Sequence, residues 1–79
     1  MRPMTAIEMR ELIATRLVRA EGGTRQQWRR AIGEIKVYAM ETHPHCNWDA
    51  RPTGEVSEVQ AVNDAVDHIR MTRPHLQRS

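Results

Sequence analysis

Apolar residues recur at helical spacing in three stretches of this chain, and the first is the clearest. Ala6, Met9, Ile13, Leu17 and Ala20 fall on one stripe. Ile7, Ala14 and Val18 widen it on one flank, and Arg16 and Arg19 lie opposite. Thr5 stands before the stripe with Glu8 three residues on, a capping-box pattern in which each side chain satisfies an orphan backbone N–H. Gly22-Gly23 closes the segment, because glycine tolerates the left-handed conformation in which many helices end. These signals predict a helix over about residues 5–21.

The second stripe is Trp28, Ala31, Ile32, Ile35 and Ala39, entered at Thr24 with Gln27 three residues later. Gly33 weakens its middle by about 1 kcal/mol relative to alanine. A competing reading ends the helix near Gly33 and makes Ile35–Met40 a short strand, since Val37 and Tyr38 favour extended chain. The stripe continues in phase, so the expectation is one helix over 24–41. A third segment, about 56–72, lines Val59, Val62, Ala65, Val66 and Ile69 on one face and stops at Arg73-Pro74. Between them, Thr42–Gly54 holds Pro44 and Pro52 and reads as a long loop, with a type I turn at Arg51-Pro52-Thr53-Gly54. The tail 75–79 is expected to fray.

Narrow stripes on three amphipathic helices predict an all-α domain spanning 1–79: a small three-helix bundle or open trihelical array with a long loop between helices 2 and 3. A chain of 79 residues has a thin core. Its single cysteine, Cys46, makes no internal disulfide and fits a reducing compartment. No apolar run nears the roughly 18–20 residues that cross a bilayer, and Met1-Arg2-Pro3-Met4 does not open a signal peptide. A cytoplasmic protein without membrane contact is the expectation.

Formal net charge is only +2, but it is unevenly spread. Residues 1–40 hold eight basic against four acidic side chains, and residues 41–79 hold four against six. Of the basic residues only Lys36 is lysine.

Three kinds of chemistry have candidate residues. His43, His45, Cys46 and His75 are imidazole and thiol groups of the type that close a zinc site, although His43-Pro44-His45-Cys46 lacks the usual ligand spacing. Pairing Cys46 with His43, His45 or His68 as a base would still need an orienting group and an oxyanion hole, and no motif supplies them. Asp64 and Asp67 share a polar helix face and read as solvated. No enzyme activity and no cofactor are therefore expected.

Gly22-Gly23-Thr24 leads into Arg25, Gln26, Gln27, Arg29 and Arg30, side-chain types that read base edges and phosphates when a recognition helix enters a major groove. The modest net charge and the acidic third helix weigh against nucleic acid. Arg10 falls inside the first apolar stripe, placed to snorkel, to pair with Glu21 or Asp49, or to anchor a partner. Trp48 is expected to fold back and lid the core beside Trp28; turned outward it would be an interface anchor. By exclusion the chain reads as a non-enzymatic protein-interaction module. Its partner is another protein or a second copy, met through Arg10, Arg16, Arg19 and Trp48. The alternative is DNA or RNA binding at Thr24–Arg30, and the third reading is a metal-stabilised domain.

Overall fold

The computed structural model describes residues 4–77. Three helices, α1 (Ala6–Glu21), α2 (Arg25–Ile32) and α3 (Val56–Arg70), are joined by a two-stranded antiparallel sheet of β1 (Ile35–Val37) and β2 (Trp48–Ala50). The fold is predominantly helical but not purely all-α, so the expected three-helix architecture holds only in outline.

Helix α1 forms where its caps predict. The Thr5 hydroxyl accepts the Glu8 N–H at 3.2 Å, and a Glu8 carboxylate oxygen accepts the Thr5 N–H at 3.1 Å. Met9, Ile13, Ala14 and Leu17 turn to the core, and the helix ends at Gly22, whose φ of 83° suits glycine. The Trp28 indole N–H donates to the Gly22 carbonyl at 2.8 Å, fastening the turn between α1 and α2. Thr24 caps α2 through the Gln27 N–H.

The expected helix over 24–41 stops at Ile32. Gly33 takes φ 72° and donates its N–H to Arg29 O at 3.0 Å, closing the helix and redirecting the chain. Ile35, Lys36 and Val37 then pair with Ala50, Asp49 and Trp48 respectively. The strand reading of this segment is the one the fold adopts. Ile35 still reaches the core, which is why the helical stripe looked continuous.

The long loop is also shorter than expected, because β2 lies inside it. Residues 51–54 lack the Gly54 N–H to Arg51 O hydrogen bond that would close the expected type I turn. They lie across the end of α2, where the Thr53 N–H donates to Ala31 O at 2.8 Å. Helix α3 buries Val62, Val66 and Ile69, and its chain turns through Met71–Arg73, two residues earlier than expected.

The described part of the tail is not frayed. Leu76 is 1% exposed, and the Gln77 N–H donates to Met4 O at 2.7 Å. Its tie is Asn47, also buried, whose side-chain amide bonds both Leu76 backbone groups. Residues 78 and 79 of the expected tail lie outside the described residues. Among the described residues, no helix is long and apolar enough to cross a membrane.

Candidate interaction surface

Trp48 is a core residue and not a surface anchor. It is 2% exposed, and its indole N–H donates to Arg73 O at 2.8 Å. It lids the core that also holds Trp28, and the Arg70 guanidinium sits 5.5 Å above its ring. Arg70 in turn pairs with Asp49, and Arg10 makes no ion pair with Glu21 or Asp49 among the described residues. Arg10 instead points its guanidinium at the Gly33 carbonyl, 3.5 Å away, at the long end of hydrogen bonding. A cation there complements the C-terminal end of α2. Arg16 and Arg19 are exposed on α1, away from Trp48 and Arg10: they border a shallow surface with Leu12, Thr15 and Ala20. The four residues expected to form one partner surface are thus dispersed.

The start of α2 is partly committed to internal contacts. Arg29 makes two 2.6 Å hydrogen bonds to the Glu11 carboxylate. These bonds come first in holding Glu11 below the ordinary carboxylate range, and the charges of Arg29, Arg10 and Arg25 add to them. Gln27 donates to Glu58 at 3.1 Å, and that bond and the Glu55 N–H hold Glu58 low as well. Of the groups expected to read nucleic acid, Arg25, Gln26 and Arg30 remain exposed, and Thr24 is spent as a cap.

The histidine–cysteine loop does not converge on a point. His43 stacks on Tyr38, with ring centroids 4.4 Å apart, and its Nδ1 lies 2.8 Å from the Thr42 hydroxyl. His75 donates from Nε2 to Pro44 O at 2.7 Å, and the Cys46 thiol donates to Trp48 O at 3.5 Å. His45 is exposed. Among the described residues no three His, Cys, Asp or Glu side chains are grouped to hold a metal ion.

The least committed polar groups belong to the sheet. Antiparallel pairing alternates residues that bond their neighbour strand with residues that face away from it. The Tyr38 N–H donates to Asn47 O at 2.6 Å, which continues the ladder one step past Val37↔Trp48 and fixes its phase. Lys36 is then in phase to bond β2, while Ile35 and Val37 turn their N–H and C=O groups to the outer edge of β1. Those outward groups make no hydrogen bond among the described residues.

The outer edge of β2 is different. Its outward residues are Trp48 and Ala50: Trp48 O accepts the Cys46 thiol, and the Ala50 N–H is taken by Asp49 Oδ1 at 2.9 Å. One C=O and one N–H of the β2 edge are thus taken within the chain, whereas none of the outward groups of β1 is.

Along the open edge runs a groove of about 620 Å³, walled by Ala6, Ile7 and Arg10 of α1 and by Glu34–Val37. Ile7 is 79% exposed beside it. Lys36 Nζ lies 3.7 Å from Glu34 Oε1, so these two side chains share the exposed face of β1. Of the groove residues, only Arg10 was singled out in the sequence. Its signal was an arginine within an apolar stripe. Glu34–Val37 carried no comparable signal once the segment was read as helix. The chain matches no family model, no curated protein and no solved structure.

Proposed function

We propose that this protein is a non-enzymatic interaction module that takes an extended strand of a protein partner onto the open edge of β1. The carrying observation is the pair Ile35 and Val37, whose outward backbone groups have no partner beside a groove flanked by the exposed Ile7. An unpaired strand edge is a template for another strand, and native folds usually blunt it. Here two outward groups of β2 are taken within the chain and those of β1 are not, although β1 is short and carries Lys36. Strand addition draws affinity from main-chain hydrogen bonds and specificity from flanking side chains, here Ile7, Arg10, Glu34 and Lys36.

The test uses Val37→Pro. Proline deletes the outward N–H, which β2 does not use, and an edge strand accommodates it. Tagged full-length protein captures its partner from nuclease-treated lysate, untagged copies of itself included. Val37→Pro should keep its circular dichroism spectrum and lose that partner at least about tenfold. Equal capture by both forms would remove the open edge as the working surface.

One observation favours a second reading. Arg16, Arg19, Arg25 and Arg30 are exposed and make no ion pair among the described residues, which leaves a basic rim available to phosphates. Binding that survives Val37→Pro but falls steeply with salt would favour nucleic acid.

A further inference from the structure

We infer that the strand seated on β1 is β1 of a second copy, joined antiparallel across a twofold axis centred on Ile35. This rests on the open edge being the working surface and names its occupant. A symmetric pairing must bring outward-facing residues together, and β1 offers Ile35 and Val37.

Charge selects the register. Centred on Lys36, the pairing would set Lys36 against Lys36 of the second copy, and like charges directly opposite are unfavourable. Centred on Ile35, it sets Glu34 against Lys36 of the second copy and Lys36 against Glu34 of the second copy. Both are opposite-charge cross-strand pairs. Centred on Val37, it gives Lys36 no acidic counterpart, because Tyr38 stands opposite. Only the Ile35-centred register is complementary in charge, and Glu34 and Lys36 already lie together on the exposed face.

In that register Ile35 exchanges both backbone hydrogen bonds with its symmetry mate. The Val37 N–H comes opposite the Gly33 carbonyl of the second copy, an oxygen that receives only the long Arg10 contact at 3.5 Å. The two-stranded sheet becomes a four-stranded one ordered β2-β1-β1-β2, and because the twofold contact uses up both β1 edges it closes at two copies.

The test is sedimentation equilibrium on the full chain with charge variants. Wild type should sediment as a dimer. Glu34→Lys alone, and Lys36→Glu alone, should each weaken the dimer roughly 10–30-fold by turning both cross pairs into like-charge pairs. An equimolar mixture of the two variants should recover association as a heterodimer, and the double swap Glu34→Lys with Lys36→Glu should recover the homodimer. Lys36 also lies opposite Asp49, so if Lys36→Glu does not fold, Glu34→Lys alone decides.

A wild type monomeric up to ~1 mM would overturn the second copy as occupant. So would a dimer indifferent to Glu34→Lys. If a different protein is captured and lost with Val37→Pro, the open edge stands and only its occupant changes. A dimer that also ignores Val37→Pro would overturn both.

Discussion

Asn47 and Leu76 are joined by both ends of one side-chain amide, across 29 residues of chain. Oδ1 accepts the Leu76 N–H at 2.7 Å, and Nδ2 donates to Leu76 O at 2.9 Å and to Tyr38 O at 3.0 Å. The backbone of Asn47 also donates to Pro74 O at 3.0 Å. One buried residue thereby ties the end of β1, the start of β2 and the tail. Burying an amide is costly unless its polar atoms find partners, and here both amide hydrogens and the oxygen do.

Asn47→Asp keeps the shape of the side chain and removes both donors. It sets a carboxylate against the carbonyls of Tyr38 and Leu76. Two lost hydrogen bonds and two unpaired buried acceptors should cost about 2–4 kcal/mol. Urea unfolding followed by circular dichroism reads this directly. A loss under about 1 kcal/mol would mean that the tail clasp is not formed in solution.

Leu76 gives a second reading of the same contact from the apolar side. It is 1% exposed, and Leu76→Ala should cost about 2–4 kcal/mol, as for other buried leucines. In a domain of this size each kcal/mol lowers Tm by about 4–8 °C, so thermal melting should drop by at least about 8 °C. Deleting the chain from Pro74 onward should do more, because it also strands Asn47. A free tail would leave the melting curve where it was.

Local signals in the sequence were reliable where local physics decides. Thr5 with Glu8, Thr24 before α2 and the glycine at 22 mark helix ends through contacts within four residues, and the structure keeps them, although Gln27 turns its side chain to Glu58 and leaves the second capping box half-formed. The inward face of Trp48 followed from the need of a thin core for a large aromatic. What escaped detection depends on partners far along the chain. Ile35 is apolar in a helix and in a strand alike, and the choice is made by Gly33 and by residues 48–50 across a loop. Asn47 reads locally as a turn residue, and only the tail it meets reveals its role. The open edge of β1 could not be anticipated without the strand itself.

The Glu11–Arg29 pair makes stability depend on pH in a defined direction. The folded-state pKa of Glu11 lies below its unfolded value, chiefly through the Arg29 hydrogen bonds. The stabilisation is therefore fully present above the unfolded glutamate pKa and is lost as pH falls through the folded one. Both side chains are substantially exposed, so the effect is modest and screened by salt. Wild type should unfold at higher urea than Glu11→Gln at pH 7, and the gap should narrow as pH falls below the unfolded glutamate pKa of about 4.3. A gap that did not narrow in acid would trace to packing and not to charge.

Gly33 decides where helix ends and strand begins, and its requirement is conformational more than steric. At φ 72° an L side chain is strained, yet a Cβ placed there would meet only Arg51 O, at an ordinary 3.5 Å. Gly33→Ala should therefore cost about 1–2 kcal/mol without disturbing neighbours. Gly33→Asn should cost a similar amount, since φ 72° with ψ −151° lies outside the left-handed helical region that asparagine tolerates. Alanine and asparagine falling together below glycine in urea midpoint would distinguish this cause from crowding, which would penalise the larger asparagine more. If all three midpoints coincided, the chain would be able to leave α2 without a positive φ. The boundary that opens the β1 edge would then have another origin.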